Sequence, residues 1–191
     1  MSWQTLMAFC TVILLVACGQ GSADKATKIP PPIDSSAMTG RHALTEKFID
    51  TAADDALMLA VIDDMSKRLG NSTTEYATIM TWNKARRSVF VAWQLDAEVN
   101  NGGFNQFYYN PSGKFYPLAP ESLKYVGASL LADLTRRANK TYEQDLENNK
   151  SHKDDSLNEY DKAYRQLTKK ESLEKILVDF VRTHKSAFVE W

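Results

Sequence analysis

This sequence predicts an all-α fold: a single helical domain of five or six helices behind a signal peptide and a flexible tether. Three observations carry the prediction. Apolar residues recur three, four and seven apart along most of the chain after residue 44; helix start and stop residues punctuate those runs; and no stretch shows the alternation of a half-buried strand. At 191 residues, 43% hydrophobic and 25% charged, the chain is long enough for one domain with its own core.

The N-terminal stretch MSWQTLMAFCTVILLVACGQ holds an apolar run from Leu6 to Ala17. At 1.5 Å per residue that run falls short of a hydrocarbon layer of about 30 Å, so it reads as the core of a signal peptide, residues 1–17. No Lys or Arg precedes it, and the α-amino group supplies the positive charge. Leu15, Val16, Ala17 and Cys18 resemble the bacterial lipobox, in which the cysteine takes a diacylglycerol on its sulfur and becomes the new N-terminus. The competing reading is a buried N-terminal helix; the all-round apolar character and the polar tail that follows favour export. On this reading Cys10 leaves with the signal and the Cys18 sulfur is a thioether, so no disulfide is available in an oxidising compartment. Gly19, rather than Asp, follows the cysteine, which by resemblance to enterobacterial sorting favours the outer membrane, facing the periplasm.

Residues 18–43 are rich in Gly, Ser, Ala and Pro and poor in large apolar side chains, the composition of a tether. Pro30, Pro31 and Pro32 favour an extended segment that lifts the domain, residues 44–191, off the membrane; a ligand for a proline-binding module is the alternative. In the domain, Phe48, Ala52, Leu59, Ile62 and Leu69 define a first helix, with Thr45 as N-cap and Gly70 as its stop. Ile79, Trp82, Val89, Phe90, Trp93 and Ala97 define a second, from near Thr74 to Asn100 and Asn101, whose aromatics mark the centre of the core. Pro117 and Pro120 precede a third, with Leu123, Val126, Leu130 and Leu134 as its stripe. The stretch from Tyr142 to Asp161 turns acidic and reads as a loop or weakly packed helix. Leu173, Leu177, Phe180, Val181 and Phe188 restore the period in a last helix, with Arg182 and Lys185 near its C-terminus, where the dipole favours them.

Little in the chain suggests catalysis. His42, His152 and His184 are scattered and belong to no metal-ligand spacing, so neither a metal nor another cofactor is expected. His184 falls on an apolar register and reads as a half-buried structural residue. The adjacent pairs Asp54/Asp55, Asp63/Asp64 and Asp154/Asp155 point about 100° apart on a helix and cannot share a proton or a metal. Ser112, within NPSG, lacks the strand-turn-helix context of a nucleophile and sits in ordinary turn composition.

The stretch that stands out is EVNNGGFNQF, Glu98 to Phe107. Gly102 and Gly103 can take the positive φ angles that end a helix, and Asn100 or Asn101 can bond nearby backbone or visit the left-handed region. Phe104, Phe107 and Tyr108 then stack rings on one face of a new turn. Glu98 and Gln106 need partners if they face the core, and the free amides at the start of that turn could supply them. Two readings stand: a polar-stapled corner, or a pocket for a ligand or partner.

The longer run LDAEVNNGGFNQFYYNPSG, Leu95 to Gly113, is similar to the signature of the DNA-mimic-protein C-terminal-like family, much of it catalogued as a domain of unknown function. The matching residues are Glu98, Asn100, Asn101, Gly102, Gly103, Phe104, Gln106, Phe107 and Asn110. LKYVGA and DFVRTHKSAF extend the likeness over roughly Thr74 to Phe188. The resemblance implies an all-helical fold, no established catalytic activity, and DNA mimicry as one function. This chain departs from the last. Mimicry needs a dense negative field, whereas 23 Lys plus Arg nearly cancel 24 Asp plus Glu.

Near-neutrality also argues against a nucleic-acid partner. The functional expectation is therefore a lipid-anchored, non-catalytic binding domain of the bacterial cell envelope, held to the membrane through Cys18 and engaging a protein partner. The alternatives are a DNA-mimicking or toxin-neutralising protein that binds a basic partner through carboxylates such as those between residues 143 and 161, or an enzyme built on Glu98, Asn100 and Gln106.

Overall fold

The structure, a computed structural model, describes residues 44–69, 73–149 and 155–189. The expected signal peptide, the lipidated Cys18 and the tether lie outside these residues, as do Gly70, His42 and His152. The described chain is all-helical, with no strand among the described residues, as the periodicity predicts. Its helices are α1 (Glu46–Thr51), α2 (Asp54–Ser66), α3 (Glu75–Thr81), α4 (Lys84–Tyr109), α5 (Ala119–Val126), α6 (Ser129–Glu147), α7 (Asn158–Lys170), α8 (Leu173–Thr183) and α9 (Ser186–Val189). Short 3-10 turns, Pro111–Phe115 and Asp155–Leu157, precede α5 and α7.

The described residues thus hold more helices than five or six, because all four predicted helices are broken, the last between α8 and α9 at His184 and Lys185, and the acidic stretch adds the start of α7. The first splits at Ala52 and Ala53, whose extended backbone separates α1 from α2. Thr45 caps α1 as expected, its hydroxyl accepting the Phe48 amide at 3.1 Å. The second splits at Trp82 and Asn83; the Asn83 side chain accepts the Arg86 amide at 2.9 Å and starts α4, while its Nδ2 donates to Ala187 O at 2.9 Å. The third splits at Gly127, which takes φ +102° while the Ala128 amide bonds back to Leu123 O at 2.8 Å, the six-to-one bond of a Schellman stop. Leu130, expected in the apolar stripe, lies just past that stop and is 57% exposed, because the break rotates α6 relative to α5. It borders a shallow groove with Asp133, Arg136, Arg137 and Leu167.

α4 is the axis of the core, packing against α5, α7, α8, α2 and α9. Val89, Phe90, Val91, Ala92, Leu95 and Val99 are buried, so the helix is covered on more than the expected face, while Trp93 and Ala97 are only half-buried. Trp82 and Phe115 meet Phe90 edge to face at 5.5 and 5.8 Å, the geometry that ring quadrupoles favour. At the far end, Arg182 does more than complement its own dipole. It donates to Ala52 O at 2.8 Å, an orphan carbonyl at the end of α1, and pairs with Asp54 at 2.7 Å at the start of α2. His184 is exposed rather than half-buried: it caps α8 with its ring stacked on Phe180 at 4.1 Å. Asp63 and Asp64 pair with Lys67 and Arg68 one turn on; Asp63 is exposed as expected, whereas Asp64 is half-buried. Among the described residues, no helix is long and apolar enough to cross a membrane.

Candidate functional site

The distinctive motif builds a corner inside α4. Helical geometry breaks at Gly102 (φ −148°, ψ 19°) and Gly103 (φ 81°, ψ −177°) and resumes at Phe104. The expected turn is present, but only Gly103 takes a positive φ, in a region almost closed to residues with a Cβ. Asn100 and Asn101 stay helical and bond side chains rather than backbone: Asn100 Nδ2 donates to Asp96 Oδ1 at 2.8 Å, and Asn101 Nδ2 to Gln106 Oε1 at 3.0 Å. Phe104 and Phe107 drop fully into the core, with Tyr108 5.9 and 5.4 Å from them.

Glu98 is 8% exposed and is held by three side chains brought round by the corner. Gln106 Nε2 and Asn110 Nδ2 donate to Oε2 at 2.6 and 2.8 Å, and Ser112 Oγ donates to Oε1 at 2.9 Å. The expectation that new-turn amides would satisfy Glu98 is corrected here. The Phe104 amide instead donates to Asp161 Oδ1 at 2.7 Å, across 57 residues of sequence. Ser112, set aside as turn composition, is a buried member of this network.

The acidic stretch is likewise corrected. Expected as a loop or weakly packed helix, it completes α6 and begins α7 on either side of residues 150–154, which lie outside the described residues, and it places Asp145 and Asp161 in buried positions. Asp145 accepts the Ser156 hydroxyl at 2.5 Å, which ties the 3-10 turn before α7 to the end of α6. Asp161 faces the corner so closely that a Cβ on Gly103 would stand 2.2 Å from its Oδ2. Burial raises the Asp161 carboxyl above the usual range, opposed by the Phe104 amide and Arg165.

Asp96, one turn before Asn100, is the second buried acid that the sequence reading missed. It accepts the hydroxyl of the fully buried Tyr164 at 2.8 Å. Burial pushes its carboxyl up to about 6, against the lowering effect of Tyr164 and Asn100 and with a smaller raising contribution from Glu174. A signal existed for both acids: Asp96 sits three residues before Val99 and Asp161 three before Tyr164, polar residues on apolar registers.

The raised Asp96 carboxyl gives a pH prediction with a definite sign. The folded chain binds this proton up to about pH 6, whereas the unfolded chain releases it near 3.8. Stability from this group therefore falls as pH rises between those values, and the cost is full above about pH 6. Asp96→Asn keeps an acceptor for Tyr164 and Asn100 and removes the buried charge. We expect it to be more stable than wild type by about 2 kcal/mol at pH 7, with the gain shrinking toward zero near pH 4, measured by urea denaturation across that range. A pH-independent difference would exclude a buried ionised Asp96.

Chemically, the corner is a set of buried carboxylates whose resolved bonds go to donors within the chain. Among the described residues no group of three His, Cys, Asp or Glu side chains is placed to hold a metal ion. No curated protein and no solved structure matches the chain. A family model described as DMP19-like protein does match, over residues 80–184. That span is more than half of the chain and takes in the kinked α4, the Glu98 network, and Asp161 and Tyr164, which close on it from α7. By that match, the chain belongs to the DMP19-like family.

Proposed function

We propose that this chain is a non-catalytic binding protein of the bacterial cell envelope, anchored by lipid on Cys18, whose helical domain engages a protein partner. The observation that supports it is that donors of the chain itself hold Glu98 on both carboxylate oxygens. A general acid or base must reach a substrate proton, and here three neighbouring side chains occupy both carboxylate oxygens. The motif serves the fold, and binding falls to the surface. Cys18→Ser is expected to release the protein from membranes to the soluble fraction; unchanged fractionation would refute the anchor. An affinity pull-down from envelope fractions should recover a partner above a tag-only control.

A second reading, a DNA-mimicking or toxin-neutralising protein, is favoured by family membership and by the acidic end of the molecule. Glu143, Glu147, Asp155 and Glu159 are exposed there, where α6 ends and α7 begins. It predicts a cationic partner whose complex weakens steeply with salt. A salt-insensitive complex counts against this second reading.

A further inference from the structure

The far end of α6 carries a face whose composition specifies a partner. Tyr142 and Leu146 lie one turn apart on one stripe, with Glu143 and Glu147 one turn apart beside them. Leu146 is 49% exposed, Tyr142 is half-buried, and both glutamates are exposed. Tyr142 stacks on the buried Tyr108 at 4.2 Å and 2°, which fixes its ring. Tyr109, 38% exposed, stands edge-on to it at 5.8 Å and 84°, and Tyr116 at 5.4 Å and 78°. Burial, and then the charge of the neighbouring Glu143 carboxylate, raises the Tyr116 hydroxyl above its usual range. Lys140 lies one turn before Glu143, and Lys162 pairs with Glu159 at 2.7 Å, so among the described residues acids still outnumber bases around this face.

Rigid tyrosine rings beside carboxylates match a cation, because ring faces and carboxylates attract the same charge. Arginine suits this better than lysine: its planar guanidinium stacks on rings and forks onto a carboxylate. An exposed leucine one turn away adds an apolar contact on the same stripe. Resting on the binding reading above, we propose that this face of α6, flanked by Tyr109 and Tyr116, docks a basic amphipathic segment of a partner protein. One of its arginines lies against the tyrosine group and Glu143, and an apolar side chain covers Leu146.

The test uses the full chain in non-ionic detergent, titrated calorimetrically with a short amphipathic arginine/leucine peptide and its lysine/leucine counterpart. The arginine peptide is expected to bind more tightly. Glu143→Gln with Glu147→Gln should weaken it about fivefold or more, and Tyr109→Leu about threefold. Tyr142→Phe, which keeps the ring face, should bind as wild type. These positions are at least partly exposed, and unchanged melting temperatures will show that the variants fold. Wild-type-like binding by both the double glutamate variant and Tyr109→Leu overturns the assignment, as does no binding of either peptide to wild type. A pull-down that still recovers a partner in those cases leaves the binding reading standing and places its surface elsewhere.

Discussion

Gly103→Ala is expected to destabilise the fold by about 3–5 kcal/mol, a large share of a typical domain's stability. Two costs combine. At φ 81° and ψ −177° a side chain is strained whatever the surrounding space, at about 1–3 kcal/mol. The added Cβ would also stand 2.2 Å from Asp161 Oδ2 and 2.7 Å from its Cγ, so the buried carboxylate must move off the Phe104 amide that it accepts at 2.7 Å. A hydrogen bond to a charged group is worth about 1.5–3 kcal/mol. Thermal and urea unfolding should both show the loss, with a melting temperature lower by roughly 10 °C or more. The mechanism has its own check. In an Asp161→Ala background the same glycine substitution should cost distinctly less, because only the backbone strain remains. A loss below about 1 kcal/mol in the parent would show that the corner does not depend on this glycine.

Glu98→Ala is expected to cost about 3 kcal/mol, because it strands donors from Gln106, Asn110 and Ser112 in a site that is 8% exposed. Glu98→Gln should cost only about 1 kcal/mol. An amide oxygen can take the two amide donors that now meet Oε2, and the Ser112 hydroxyl can rotate to accept from the new amide nitrogen. This graded pair separates a structural staple from a catalytic acid, for which the conservative change is as damaging to activity as the truncation. If denaturation shows both variants as stable as wild type, the network does not hold the corner, and the enzyme alternative regains its central residue.

How much of this was legible beforehand varies along the chain. Helical class, the Thr45 cap, the burial of Val89, Phe90, Phe104 and Phe107 and the corner itself follow from local chemistry: apolar period, a capping hydroxyl, and glycine's freedom at one positive φ. The breaks at Asn83 and Gly127 were also written in residue types known for starting and stopping helices, but an uninterrupted apolar period across them concealed the stops. The acidic stretch misled for a different reason. Its composition is that of a solvated connector, and only packing reveals that Asp145 and Asp161 have partners that justify their burial.

The sequence by itself determined the elements and the place where the central helix must bend, since these depend on interactions among residues within a few positions of one another. What only the tertiary structure decided is which polar groups meet. Asp161 reaches Phe104 across 57 residues and Tyr164 reaches Asp96 across 68. Arg182 closes the end of α1 from 130 residues away. A buried charge or amide is tolerable only where such a partner arrives, and that arrival is set by how α7 and α8 dock on α4, which no local pattern encodes.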